Sequence, residues 1–153
     1  MKEKTIAQSR SMISEIMMIH QANPMGNVHG GEIMKIMDNA GSVAASRHAK
    51  TNVVTLRVDE LIFHHPIYVG QLVTCTSHLV YVGNTSMEVK VIVMVEDITK
   101  DDPPKIAQSA FFTFVALDYS GKPTQVPRLK LETEQEKKEY DEGAHRAAKR
   151  KKT

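Results

Sequence analysis

The chain has little of what staples, anchors or exports a protein. It contains a single cysteine among 153 residues, Cys75, within the alternating segment LVTCTSHLV. One thiol forms no disulfide inside its own chain, and no cysteine-based metal motif is present. No apolar run approaches the ~18 residues that a membrane helix needs, so membrane insertion is not expected. The first residues, MKEKTIAQSR, are polar and lack the apolar stretch of a secretory signal. These absences predict a cytoplasmic, reducing setting. The formal net charge is only +2, too small an excess to argue for nucleic acid as a partner. His64-His65 has no third spaced ligand beside it, so no metal site is expected.

What is present is ordinary globular material. About two-fifths of the chain is apolar and a quarter is charged, enough for one domain with a modest core. Charge is concentrated at the end. Residues 132–142 hold six acids against two lysines, and residues 143–153 hold Arg146, Lys149, Arg150, Lys151 and Lys152 with no acid. The plain reading of that basic run is a solvated, frayed terminus. The sharper one is a local attractor for an anionic ligand such as a nucleotide phosphate.

Periodicity divides the body into elements. Residues 9–20 read as a first strand, with helix as the alternative. Residues 21–31, QANPMGNVHGG, carry Asn23-Pro24 and the Gly30-Gly31 pair and read as a loop. Helical spacing of Ile33, Met34, Ile36, Met37, Ala40, Val43 and Ala44 predicts a helix over roughly 30–48. Gly41 in its interior costs ~1 kcal/mol relative to alanine. The run of Ala40, Gly41, Ser42, Ala44, Ala45 and Ser46 suits a helix pressed closely against a sheet. Strands are expected over 53–63, 71–82, 85–97 and 105–118, with a tight turn at Gly83-Asn84. In the third of these, Met87, Val89, Val91, Val93 and Val95 share one face. Glu88, Lys90, Ile92 and Met94 share the other, which is only half polar and should meet another element. A last helix is expected from Thr133 through Lys137, Lys138 and Tyr140. One buried helix against an antiparallel sheet is an α+β layer arrangement. Other α+β folds share much of this pattern. The sheet edges argue for self-association.

The segment HQANPMGNVHGGEIMKIMDNAGSVAASRH, at 20–48, resembles the signature of acyl-CoA hydrolases of the hotdog superfamily. The likeness continues through TNVVTLRVDELIFHHPIYVGQ, NTSMEVKVIV, QSAFFTFVALDYSGKPTQVP and ETEQEKKEYDEG. It implies a curved antiparallel sheet wrapped around a central helix over residues 1–131, followed by a charged helical extension and basic tail over 132–153. It also implies hydrolysis of fatty acyl-CoA to fatty acid and coenzyme A, with no cofactor apart from the coenzyme A of the substrate. The matching site residues are Asn23 and Asp38, contributed by different subunits of a dimer, and trimers of dimers are the family's common assembly. Coenzyme A contacts are implied at Asn84, Thr85 and Ser86 and near the end of the last strand. Independently of the resemblance, the positive charge of Lys90, Arg57 or the tail bases suits the negative charges of coenzyme A.

These residue types suit the chemistry. Glycines at a helix start let a substrate approach N–H groups that have no partner in the helix, so Gly30 and Gly31 suit an oxyanion hole. Asp38 can take a proton from water or attack the thioester directly. Asn23 can donate to the carbonyl or orient the water. No serine or cysteine nucleophile motif is visible. His29 beside the glycines suits a structural hydrogen bond, and His48 the end of the helix. Met34, Met37, Phe111, Phe112 and Phe114 are available to an acyl chain, although most of that stripe suits a core. A non-catalytic acyl-CoA sensor and a dehydratase-like enzyme are the competing readings. Keeping both Asn23 and Asp38 favours hydrolysis over mere binding.

Overall fold

The computed structural model describes residues 1–151; Lys152, one of the tail bases, lies outside them. The elements run β1 (Lys4–Thr5), β2 (Ser11–Ile16), a short 3₁₀ turn (Ile19–Gln21), α1 (Gly30–Ala49), β3 (Asn52–Phe63), β4 (Leu72–Val82), β5 (Ser86–Glu96), β6 (Lys105–Leu117), β7 (Leu129–Lys130) and α2 (Glu134–Lys151). Five strands form an antiparallel sheet in the order β2-β4-β5-β6-β3. The expected central helix and four long strands fall within about a residue of their predicted bounds. The first strand is shorter than expected, because residues 19–21 turn away as a 3₁₀ helix. The small parallel pair β1–β7 lies outside the expected elements.

α1 lies across one face of the sheet and buries Ile33, Met37, Ala40, Ala44 and Ala45 against Val89, Val91, Val93, Phe112 and Phe114. This is the hotdog arrangement. The small residues of α1 set its depth. A Cβ at Gly41 would stand 3.0 Å from the Phe114 ring and 3.4 Å from Val91, so the glycine is kept for close approach. Ser11 and Ser77 both donate to the Ala40 carbonyl, at 3.1 and 2.7 Å, tying mid-helix to β2 and β4. Met37, Phe112 and Phe114 are therefore core. Phe111 points to the opposite face and is half-buried there, and Met34 is the half-buried candidate on α1.

The opposite face of the sheet is covered by α2. Thr133 starts the helix by accepting the Glu136 N–H at 3.0 Å. Acids Glu134 and Glu136 occupy the first turn and bases Lys149, Arg150 and Lys151 the last, the arrangement that complements a helix dipole. The charge run in the sequence is thus the signature of one helix. The expectation of a frayed terminus fails for 143–151, because Arg146 and Arg150 both bind the buried carboxylate of Glu88. The half-polar face of β5 meets another element as expected, and that element is α2. Among the described residues, no helix is long and apolar enough to cross a membrane.

Candidate active site

The loop before α1 is built around Asn23. Its backbone N–H donates to Asn27 O at 2.7 Å, and its own carbonyl accepts from Gly26 N at 3.0 Å. Its side-chain oxygen accepts from the N–H groups of Met25, at 3.0 Å, and Asn27, at 3.1 Å. With the oxygen held by the backbone, the half-buried carboxamide has an NH₂ with no acceptor among the described residues. Bonds from His29 N to Gln21 O and from Val28 N to Ile67 O fix where the loop enters the helix.

α1 begins at Gly30 with His29 as its N-cap, and the histidine side chain makes no capping bond. The His29 carbonyl accepts from Glu32 N at 3.0 Å and Ile33 N at 3.3 Å. The N–H groups of Gly30 and Gly31 have no acceptor among the described residues. Both glycines are exposed, and a Cβ at either would meet nothing within 4 Å. Nothing in this chain therefore requires glycine there; the space they leave open lies in front of two unclaimed donors.

Asp38 is seven residues beyond Gly31, which is about 700° of helix, so the two share a face about 10 Å apart along the axis. The carboxylate is half-buried, and Thr55 Oγ1 on β3 donates to its Oδ1 at 2.5 Å. Thr55 was not among the expected site residues. It lies in the β-branched segment VVTLRV, where a threonine reads simply as a strand former. His64 reaches Ser109 Oγ at 3.2 Å. His48 is buried, with Nε2 2.8 Å from Pro127 O.

A second feature lies on the outer face. Leu56, Arg57, Tyr81, Gly83, Asn84, Thr85, Ser86, Thr113, Ala147, Arg150 and Lys151 line a cleft of about 380 Å³ between the β4–β5 turn and the end of α2. The structure thus gathers Arg57, Asn84, Thr85 and Ser86 with the tail base Arg150. It leaves Lys90 outside, 3.8 Å from Glu139 and beneath the first half of α2. A larger cavity, about 710 Å³, lies at the far end of α1, around Lys50, Asn52 and Tyr119. Its one carboxylate, Asp118, is taken up by the N–H groups of Ser120 and Lys122.

The sequence profile of the Thioesterase superfamily matches residues 25–101, from within the loop after Asn23 through α1 to just past β5. A cytosolic acyl coenzyme A thioester hydrolase of Rattus norvegicus is 39% identical over 143 residues, covering 93% of this chain and 38% of the relative. The chain therefore spans well under half the length of that relative. Among solved structures, an apo-hexameric acyl-CoA thioesterase superposes with a TM-score of 0.93 at 30% identity, covering 99% of this chain and 97% of the other. An acyl-CoA hydrolase of Staphylococcus aureus, solved with butyryl coenzyme A and coenzyme A, gives 0.89 at 31% identity over 97% and 90% of the two chains. That hydrolase has also been solved with an aspartate, an asparagine and a threonine each replaced by alanine. With its helix enclosed by the sheet, its matched profile and these superpositions, the chain belongs to the thioesterase superfamily.

Proposed function

We propose that the protein hydrolyses the thioester bond of fatty acyl-CoA, giving free fatty acid and coenzyme A. The observation that carries the reading is the pair of unpartnered N–H groups at Gly30 and Gly31, set on the helix that also bears Asp38. The thioester carbonyl oxygen accepts from these N–H groups, and the helix dipole favours the charge that develops there. Asp38 takes a proton from water as the water oxygen bonds to the carbonyl carbon. The tetrahedral intermediate then collapses, and the coenzyme A thiolate leaves and takes up the proton. Thr55 holds one oxygen of Asp38, and the Asn23 NH₂ is placed to donate to the carbonyl or to the water.

One chain does not complete this site. The attacking water must lie ~3 Å from its base and against a carbonyl whose oxygen is ~3 Å from the oxyanion donors, whereas Gly31 and Asp38 of one helix are about 10 Å apart along its axis. The reading therefore pairs Asn23 and the glycines of one subunit with Asp38 of its partner. The edge strand β3 supports such pairing: Val54, Leu56, Ile62 and Phe63 are exposed along it, which invites a second copy. We assign the assembly as a trimer of dimers, a reading supported by the hexameric state of the similar thioesterase. A cytoplasmic setting is in keeping with the cytosolic rat relative. No cofactor is needed beyond the coenzyme A of the substrate, whose charged end we assign to the cleft at Arg57, Asn84, Thr85 and Ser86.

The test is thiol release from acyl-CoA substrates of two to eighteen carbons, for the wild type and Asp38→Ala at matched oligomeric state. Turnover by the wild type that is lost in the variant supports hydrolysis. Tight acyl-CoA binding without turnover across the panel points instead to a sensor.

A further inference from the structure

Glu88 is 1% exposed on the face of the sheet away from α1. A carboxylate there is costly unless charged donors meet it. It lies in a row across four strands, formed by Tyr81, Glu88, Thr113 and Arg57. Arg146 donates to its Oε1 from Nε at 3.0 Å and Nη2 at 2.6 Å, and Arg150 Nη1 donates to its Oε2 at 3.2 Å. Arg146 also stacks 3.8 Å above the Phe111 ring. Gly143 allows this approach, since a Cβ there would lie 2.6 Å from Tyr81 Cβ. One buried carboxylate thus determines where the last two turns of α2 rest.

Those turns form one wall of the outer cleft. Its lining holds three cations, Arg57, Arg150 and Lys151, and no acid. Asp59 offsets part of this charge, 2.9 Å from Arg57 and 3.6 Å from Arg150. Thr113 also borders the cleft; it is 3% exposed, and its buried hydroxyl has no hydrogen-bond partner among the described residues. A positive wall with hydroxyl and amide groups opposite suits phosphate oxygens.

We propose that Glu88 is a positioning residue. Through Arg146 and Arg150 it seats the end of α2 opposite the Gly83–Ser86 turn, and so sets affinity for the phosphorylated nucleotide end of coenzyme A. The proposal rests on the acyl-CoA reading above. It separates recognition of the nucleotide, on the outer face, from the chemistry at the start of α1.

The experiment compares one acyl group carried by coenzyme A with the same group carried by pantetheine, which lacks the nucleotide. For Glu88→Gln, the ratio of kcat/KM between the two substrates is expected to fall about tenfold through a higher KM for acyl-CoA, as for loss of one charge-assisted contact. A ratio within twofold of the wild type overturns the proposal, whether both activities persist or fall together. If Glu88→Gln does not assemble, Arg146→Gln, at a residue outside the cleft lining, leaves the Glu88–Arg150 pair in place and is judged by the same ratio. If the wild type hydrolyses neither substrate, the hydrolase reading fails by itself. Calorimetry then decides the present one: coenzyme A must bind more tightly than pantetheine, and Glu88→Gln must narrow that gap, with an unchanged gap overturning it.

Discussion

The Thr55 hydroxyl donates to Asp38 Oδ1 across 2.5 Å, joining edge strand β3 to the middle of α1. In the proposed mechanism the bond leaves Oδ2 to take the proton. It also orients the carboxylate toward the edge where a second copy is expected. Replacing Asp38 with alanine should lower acyl-CoA hydrolysis by at least about 100-fold, the usual scale for a lost general base. Thr55→Val should cost less, about tenfold in kcat, because the base remains but is no longer aimed. Steady-state kinetics at equal oligomeric state checks both. A Thr55→Val enzyme as fast as wild type would show that the bond is only structural.

Cys75 is fully buried in β4, and burial pushes its thiol up to about 12. The native protein should therefore resist thiol reagents at neutral pH, since the thiolate is the reactive form. One thiol per chain should appear on denaturation. Rapid labelling of the native assembly would contradict the packing of β4 against α1.

Gly143→Ala gains up to about 1 kcal/mol in helix propensity. The new methyl, however, would sit 2.6 Å from Tyr81 Cβ, which is anchored to the sheet backbone. Overpacking of this kind costs about 1–3 kcal/mol. The net expectation is a lower thermal midpoint by calorimetry. A higher midpoint would mean that α2 rests further from β4 than described.

Burial holds the His48 imidazole below its ordinary value of 6.5, and the nearby charges of Lys4 and Arg128 push the same way. Because Nε2 faces the Pro127 carbonyl at 2.8 Å, the neutral ring carries its proton on that nitrogen. Below pH 6.5 the unfolded chain takes up a proton that the folded chain refuses. Stability from this residue is therefore complete above pH 6.5 and declines as pH falls. Burial lowers His78 in the same direction, opposed by Glu139. His48→Gln should flatten the fall of thermal midpoint between pH 7.5 and 5 without abolishing it. Identical slopes for the two proteins would remove His48 from the account.

Much of the architecture was legible beforehand. Helical spacing from Ile33 to Ala44 and the Gly30-Gly31 start located α1, because the amphipathic period and the breaking residues are local properties. Asn23 and Asp38 stood out through resemblance to a known family, whereas the orientation of the Asn23 amide came from its bonds to Met25 and Asn27. Thr55 could not be picked out, since its partner is 17 residues away and a threonine in a strand has no distinguishing local pattern. Lys90 was drawn into the binding set by its charge alone, and the packing of α2 gave it to Glu139 instead.

By itself, the sequence determined the order of elements, the buried face of α1 and the half-polar face of β5. These depend on periodicities that each segment carries alone. Only the tertiary structure decided what covers that face. The acidic and basic runs of 132–151 read locally as solvated charge, and their role emerges only when Gly143 lets the helix settle on Tyr81 and two arginines meet Glu88. A buried carboxylate and its guanidinium partners lie about 60 residues apart in the chain, and the free energy that unites them exists only once water has been removed from between them.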